Sequence, residues 1–368
     1  MKIAVVGAGV AGSAAALSLA RSGHEVVVHE AYADPAGSVG SFVSLAVNGL
    51  RGLDALGCGD RVRDAGFEVP TQRMWTSGGR MIGEVPRGRR KTDAMMSITL
   101  KRADLVAQLR DAAVLAGARI LLHDRIEELD GIDADLVVGA DGLWSRSRSL
   151  LDPAAPKPEY AGLWSVGGVA PGLGGDVAFN MTSGRNGAFI YIPTPSGDVW
   201  WSAQVSEPQE PDRSGTDWLE RVAELYRAEA EPSRIIAATE APSSVTVMNT
   251  LAPVPTWRDA RTILIGDAIH PVGAGQGASM AIEDAVVLGQ VVESEPNVEA
   301  AIGAFITRRS SRVKELLKTA DDNRRFKKAG TLKRVTQEFM MGFFFERFYP
   351  RFTDWLYEYD PIAPVGAS

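Results

Sequence analysis

Residues 266–285, GDAIHPVGAGQGASMAIEDA, place an aspartate and a histidine ahead of a glycine-rich loop that leads into a predicted helix. The apolar run TILIG before them predicts a strand, so Asp267 would lie at a strand's carboxyl end, where open α/β sheets bind ligands. The loop continues through Gly273, Gly275 and Gly277. Because a helix amino end carries free N–H groups and a positive dipole, this segment predicts stabilisation of negative charge on a ligand.

A similar loop begins the chain, in KIAVVGAGVAG. Its apolar run is typical of a strand buried on both faces of a parallel sheet, and an Ala- and Leu-rich helix follows. Gly7, Gly9 and Gly12 would permit a tight turn, the approach of backbone to a pyrophosphate, and close packing of helix on strand. Glu30 closes the next strand about twenty residues on, where a carboxylate accepts ribose hydroxyls. The loop therefore predicts a nucleotide with a free 2′-hydroxyl, which leaves FAD and NAD open and argues against NADP.

A third segment, ADLVVGADGLWSRSR at 134–148, predicts a buried strand that turns at Asp141-Gly142. Arg148 lies a helical turn further on. Alone, this pattern is equally typical of an ordinary strand–turn–helix unit.

The three segments, in this order, resemble the class A flavoprotein monooxygenases, the aromatic-hydroxylase family related to p-hydroxybenzoate hydroxylase. Arg102, in ITLKRADLVAQL, is similar to the family's arginine near the FAD pyrophosphate, and WLYEYD is similar to its C-terminal tail. The resemblance extends over nearly the whole chain.

The resemblance implies an α/β fold with a GxGxxG-type, Rossmann-like FAD-binding domain, an inserted β-rich substrate domain and C-terminal helices. The FAD-binding domain is expected in three segments, 1–70, 98–158 and 251–300. The substrate domain is expected at 71–97 and 159–250, and the C-terminal helical segment at 301–368.

The resemblance also implies that both glycine loops hold one extended FAD. Asp267 would bond the ribityl chain, and the helix after it would face the pyrimidine end of the isoalloxazine. Substitution of Asp284, further along that helix, is expected to change flavin reduction and peroxide release less than substitution of Asp267. The predicted cofactor contacts are Gly7, Gly9, Val10, Ala11, Gly12, Glu30, Arg102, Asp141, Gly266, Asp267, Gly275, Gly277, Ala278 and Ser279.

The implied reaction is hydroxylation of an aromatic or polycyclic small molecule with O₂, through a flavin 4a-hydroperoxide. NADPH or NADH would dock transiently as reductant, and the flavin rather than a protein residue would carry the chemistry. The HPVGAGQG loop is shorter than in many family members. That departure leaves open an FAD-dependent oxidoreductase or cyclase without oxygen insertion, and a non-catalytic flavoprotein is a second alternative.

Strand alternation places Phe189 and Tyr191 on the same face of one strand in the predicted substrate sheet. It also places Trp200, Ser202 and Gln204 together on one face of another strand. A single aromatic residue there is more often core than ligand contact. The basic segment RGRRK at 87–91 is interpreted as a solvated loop in preference to a contact for an NADPH phosphate. The predicted contacts of an aromatic or lipophilic substrate are Tyr191, Gln204, Trp201, Pro271 and Gly273.

Composition narrows the function classes. A net charge of −7 gives little support to nucleic-acid binding, and no apolar run reaches membrane-spanning length. A lone cysteine, Cys58, and four scattered histidines show no ligand spacing, so no metal is expected. The apolar N-terminus lacks the features of a signal peptide, which predicts a cytoplasmic protein. A homo-oligomer is left open, and the aromatic C-terminal segment is expected to pack on the flavin domain, with a substrate mouth or subunit contact as alternatives.

Overall fold

A computed structural model describes residues 1–34, 42–243, 245–272, 275–327, 349 and 351–363, with only the backbone given for 320–327. The strands are β1 (Lys2–Val6), β2 (Glu25–His29), β3 (Phe42–Leu45), β4 (Phe67–Val69), β5 (Thr71–Thr76), β6 (Met81–Pro86), β7 (Ser97–Lys101), β8 (Arg119–Leu121), β9 (Leu136–Gly139), β10 (Glu159–Ala170), β11 (Phe179–Ser183), β12 (Gly187–Pro193), β13 (Val199–Ser206), β14 (Thr246–Thr250) and β15 (Thr262–Leu264). The helices are α1 (Val10–Arg21), α2 (Val47–Ala55), α3 (Gly59–Asp64), α4 (Arg102–Leu115), α5 (Arg146–Leu151), α6 (Trp218–Tyr226), α7 (Ala230–Ala237), α8 (Gly277–Ser294) and α9 (Val298–Lys327), with a 3-10 turn at Gly266–Ala268 and helical residues at 351–358.

A five-stranded parallel sheet carries both glycine loops, in the order β15-β9-β1-β2-β8. The central strands are almost entirely apolar because helices cover the sheet, and α1 packs between α4 and α8. The carboxyl ends of β1, β9 and β15 lead into the three segments singled out by sequence. This arrangement confirms the predicted Rossmann-like α/β fold.

A seven-stranded sheet, ordered β14-β10-β13-β12-β11-β5-β6, is antiparallel except for the parallel pair β11–β5. All its strands come from 71–97 and 159–250. Helices α6 and α7 cover one face, where a core of aromatic residues includes Trp164, Phe189 and Trp201. The opposite face packs towards the small sheet β3-β7-β4 through Phe42, Phe67 and Trp200. The division of the chain into domains at the sequence-derived boundaries stays a prediction.

The C-terminal part of the described chain returns to the nucleotide-binding half. Leu356 and Tyr357 pack with Val272, Met280 and Val313 in one buried cluster. The aromatic run at 339–348 falls outside the described residues. No helix that the structure describes is long and apolar enough to cross a membrane.

Candidate functional site

The three glycines of the first loop differ in how closely other atoms surround them. Gly7 has φ +98°, and a Cβ on it would lie 2.8 Å from the carbonyl oxygen of Ala140. A Cβ on Gly12 would lie 1.8 Å from the carbonyl oxygen of Gly7, so α1 packs on the loop only with glycine there. No atom lies within 4 Å of a Cβ built on Gly9. The protein therefore requires Gly7 and Gly12 for its own packing, while Gly9 leaves one side of the loop open to a pyrophosphate.

The start of α1 and Glu30 complete this half of the site. Helix α1 begins with no side-chain cap and no acid in its first turn, so the N–H groups of Val10, Ala11 and Gly12 have no partner within the helix. Glu30 is buried, and its carboxylate accepts hydrogen bonds from the N–H groups of Ala8 (2.7 Å) and Tyr32 (2.9 Å). These bonds fix the carboxylate beside the loop, and its other lone pairs can accept ribose hydroxyls.

The segment after β9 joins the two glycine loops. The Asp141 carboxylate accepts hydrogen bonds from the N–H (2.8 Å) and hydroxyl (3.0 Å) of Ser147, so it organises the start of α5. Arg148 is buried and donates to the carbonyl oxygens of Ala268 and Leu143, each at 2.8 Å. Sequence spacing singled out Arg148 without revealing this link.

Asp267 lies beside the amino end of α8. Its Oδ1 is 3.6 Å from the position that a Cβ on Gly277 would take, and the side chain is exposed. The closely surrounding protein raises the pKa of Asp267 by desolvation, and the charges of His270 and Arg102 lower it in part. The structure therefore brings Asp267 and Arg102 close enough for their charges to interact.

Helix α8 offers a second helix amino end to a ligand. It begins after Gln276 with no side-chain cap and no acid in its first turn. Gly275 is exposed with φ +96°, whereas Ala278 is partly buried. Ser279 is fully buried, and its hydroxyl has no hydrogen-bond partner in the part of the chain that the structure describes. Gly273 falls outside the described residues.

The two loops are direct neighbours. A Cβ on Gly266 would lie 2.8 Å from the Cβ of Ala11, the second residue of α1. One extended dinucleotide can therefore reach both helix amino ends, with Glu30 at its ribose end and Asp267 at the other. The open position at Gly9 and the uncapped starts of α1 and α8 fit the phosphates and the anionic ring system of FAD.

A buried ionic network lies behind the second loop. Asp284 accepts hydrogen bonds from the N–H of Gly266 (2.9 Å), from His270 Nε2 (2.6 Å) and from Arg309 Nε (2.7 Å). Burial alone would raise the pKa of Asp284, but His270 and Arg309 outweigh it and lower the value to about 2. For His270, burial acts to lower the pKa, and Asp284 raises it above its usual value overall.

Glu283, the preceding residue, extends this network. It accepts from Arg309 (2.8 Å), Arg312 (2.7 Å) and Asn48 (2.7 Å), and it is fully buried. Asp284 therefore holds Gly266 and balances buried cations, while the expectation that its substitution slows flavin reduction less than that of Asp267 stays a prediction. The sequence feature that could have indicated this buried network was the acid pair inside the otherwise apolar stretch ASMAIEDAVVLG.

A cavity of about 210 Å³ opens beside the second loop, between the seven-stranded sheet, α9 and the helical residues 351–358, here called the C-terminal helix. Of the predicted substrate contacts, Gln204 and Pro271 line it, together with the cofactor-loop residue Gly275. The rest of the described lining combines neutral polar side chains with apolar ones, which include Leu45, Leu163, Met248, Val272 and Leu356.

Tyr191 and Trp201 do not line this cavity, which corrects their assignment as substrate contacts. They are paired across β12 and β13 and pack with Phe189 under α6 and α7. Burial raises the pKa of Tyr191 to about 12, and the Trp201 indole donates to Thr239. Successive strand residues alternate between faces, so Trp201, three residues before Gln204, must face the other way.

The described residues contain no cluster of three or more His, Cys, Asp or Glu that could hold a metal ion. Arg90, in the basic segment, pairs with Asp93 (3.1 Å) and Glu358 (2.8 Å). The interpretation of 87–91 as a solvated loop is therefore corrected, since part of the segment packs on the C-terminal helix.

Known proteins identify the group to which this site belongs. The profile of the FAD binding domain family matches residues 1–320. 3-Hydroxybenzoate 6-hydroxylase 1 of Aquipseudomonas alcaligenes is 30% identical over 84% of this chain and 85% of its own length. 6-Hydroxynicotinate 3-monooxygenase of Pseudomonas fluorescens is 30% identical over 88% of this chain and 91% of its own length.

Solved structures share the fold. The crystal structure of HpxO from Klebsiella pneumoniae, complexed with FAD and uric acid, superposes with a TM-score of 0.81 at 21% identity and covers 96% of this chain and 95% of that one. A salicylate hydroxylase substrate complex gives a TM-score of 0.79 at 20% identity and covers 98% of this chain and 96% of that one. The matches confirm the predicted family and its FAD cofactor: the chain belongs to the FAD binding domain family, among the class A FAD-dependent aromatic monooxygenases.

Proposed function

We propose that the protein hydroxylates a small aromatic molecule, using NADH or NADPH as reductant and O₂ as the source of the inserted oxygen. The observation that carries the proposal is the cavity of about 210 Å³ beside the second glycine loop. An apolar protein cavity of about 150 Å³ accommodates benzene, so this space suits a substituted aromatic ring.

Bound FAD supplies hydride acceptance and oxygen activation, and the protein supplies binding, orientation and exclusion of water. The amino ends of α1 and α8, with Glu30 and Asp267, hold the cofactor across the two loops. Leu163 and Met248 of the sheet and Leu356 of the C-terminal helix give the cavity an apolar wall. Such a wall excludes water from the reacting groups.

The relatives support this assignment through their names. They include hydroxylases or monooxygenases of 3-hydroxybenzoate and 6-hydroxynicotinate, each matched over most of its length. Both named substrates are single-ring aromatic compounds, in keeping with the size of the cavity.

The test uses FAD-loaded protein and a panel of one- and two-ring aromatic compounds. We expect at least one compound to accelerate NADH or NADPH oxidation and to gain one oxygen atom from ¹⁸O₂, as measured by mass spectrometry. Stimulated oxidation without oxygen incorporation would favour an oxidoreductase or cyclase on this fold. No stimulated oxidation with any compound would favour a non-catalytic flavoprotein.

A further inference from the structure

Arg87 is the one charged side chain among the described residues that line the cavity. It directly follows Pro86, the last residue of β6. The other polar groups in the described lining, such as Gln204 and Asn249, are neutral. A single cation among lining groups that are otherwise uncharged indicates a ligand that carries negative charge.

The protein holds the guanidinium of Arg87 in a fixed orientation. Its Nη1 donates to Oε1 of Gln72 at 2.6 Å, and its Cζ lies 3.7 Å from the ring centroid of Phe179. The Arg87 backbone is anchored by a hydrogen bond from its N–H to the carbonyl oxygen of Pro70 at 3.1 Å. Because these contacts exist without ligand, little side-chain entropy is lost when one binds.

The remaining donors of Arg87 are available. Neither Nε nor Nη2 has a hydrogen-bond partner among the described residues, and no described carboxylate forms an ion pair with this arginine. Nη2 lies 3.7 Å from the position that a Cβ on Gly275 would take, so it faces the second glycine loop. Burial lowers the pKa of Arg87, and Tyr349 and Tyr357 raise it in part, as expected of a cation without a carboxylate partner.

We propose that Arg87 determines specificity by binding the carboxylate of an aromatic acid substrate, an inference that rests on the proposed function. The Nε and Nη2 edge of a guanidinium matches the two oxygens of a carboxylate, while the aromatic ring packs on the apolar wall. A carboxylate also neutralises a partly buried charge, which is costly to keep without a counter-charge. A neutral analogue of the same shape leaves that cost in place.

The test compares binding of matched pairs to FAD-loaded protein by calorimetry: 3-hydroxybenzoate with 3-hydroxybenzamide, and 2-naphthoate with 2-naphthamide. In the wild type we expect the carboxylates to bind more tightly than the amides. Arg87→Met should weaken carboxylate binding by about 10- to 100-fold and amide binding by less than about 3-fold. Arg87→Lys, which keeps the charge, should restore part of the difference.

Arg73→Met is the matched control, because Arg73 lies in the same sheet, pairs with Glu84 and does not line the cavity. It should leave the carboxylate preference unchanged. A wild-type preference for amides, no carboxylate binding, or equal losses for both ligands in Arg87→Met would overturn the proposal. So would an Arg87→Met variant that only raises the KM for NADPH, which would assign Arg87 to a phosphate of the reductant.

This binding test is separate from turnover. If carboxylates bind through Arg87 but no compound stimulates NADH or NADPH oxidation, the proposed reaction fails and the specificity assignment stands. If an aromatic compound is hydroxylated but the carboxylate preference does not depend on Arg87, only the specificity assignment fails.

Discussion

Substitution of Asp284 by alanine tests the buried network behind the second glycine loop. The change removes the acceptor of three hydrogen bonds, from Gly266, His270 and Arg309. Breaking a buried ion pair by removing one partner costs about 3–5 kcal/mol. Arg309 keeps Glu283 at 2.8 Å and is not left unpaired, so we expect the lower end of that range, about 3 kcal/mol.

The assay is urea unfolding of the FAD-free protein, followed by fluorescence titration with FAD. Because Asp284 holds the N–H of Gly266, its loss should also loosen the second loop and lower FAD affinity. Asp284→Asn can still accept from Gly266 but carries no charge, so its effect should lie between those of wild type and alanine. Glu293→Ala is the control, since Glu293 is an exposed acid on the same helix and should change stability by no more than about 0.5 kcal/mol.

The reasoning is refuted if Asp284→Ala and Glu293→Ala unfold at the same urea concentration. Equal FAD affinity in the two variants would refute the link between the network and the second loop, even if stability differed. A larger loss of stability in Asp284→Asn than in Asp284→Ala would show that the charge of Asp284 does not balance His270 and Arg309.

Four further predictions follow, three measured by stability or FAD binding and one by the kinetics of flavin reduction. Gly9→Ala should fold normally and bind FAD poorly, whereas Gly12→Ala, whose Cβ would meet the Gly7 carbonyl at 1.8 Å, should lose about 1–3 kcal/mol of stability. Glu30→Lys should weaken FAD binding by about 10- to 100-fold, and unchanged flavin content would reject its ribose role. Asp267→Ala should slow reduction by NADH or NADPH by up to about a hundredfold and release more peroxide per turnover at saturating FAD. The lowered pKa of Asp284 stabilises the protein by about 2 kcal/mol above pH ~4, and this is lost as the pH falls towards 2, so the stability difference from Asp284→Asn should shrink over that range.

The parts of the fold that follow local rules could be predicted from the sequence. The first strand, glycine loop and helix form within about twenty residues, and Gly12 is needed for a contact within that unit, the approach of α1 to the Gly7 carbonyl. Strand alternation likewise gave the correct face for Gln204. Including Trp201 in the same set violated that alternation, because residues separated by an odd number point to opposite faces of a sheet.

The ionic network could not be derived in the same way. Asp284 and Arg309 are 25 positions apart and lie on different helices, so their contact exists only once α8 packs on α9. The sequence could indicate at most that an acid inside an apolar helix needs a partner, since burying an unpaired charge is costly. It could not name the partner or show that the pair also holds Gly266.

Arg87 and Arg90 show why charged residues are the hardest to assign from sequence. They belong to one basic segment, three positions apart, and local composition treats them alike. In the folded chain Arg90 is paired with Asp93 and Glu358, whereas Arg87 stacks on Phe179 and faces the cavity with no carboxylate partner among the described residues. The role of a cation depends on which counter-charge the fold brings near it. Arg87 has no carboxylate partner among the described residues, so we expect a ligand to supply one.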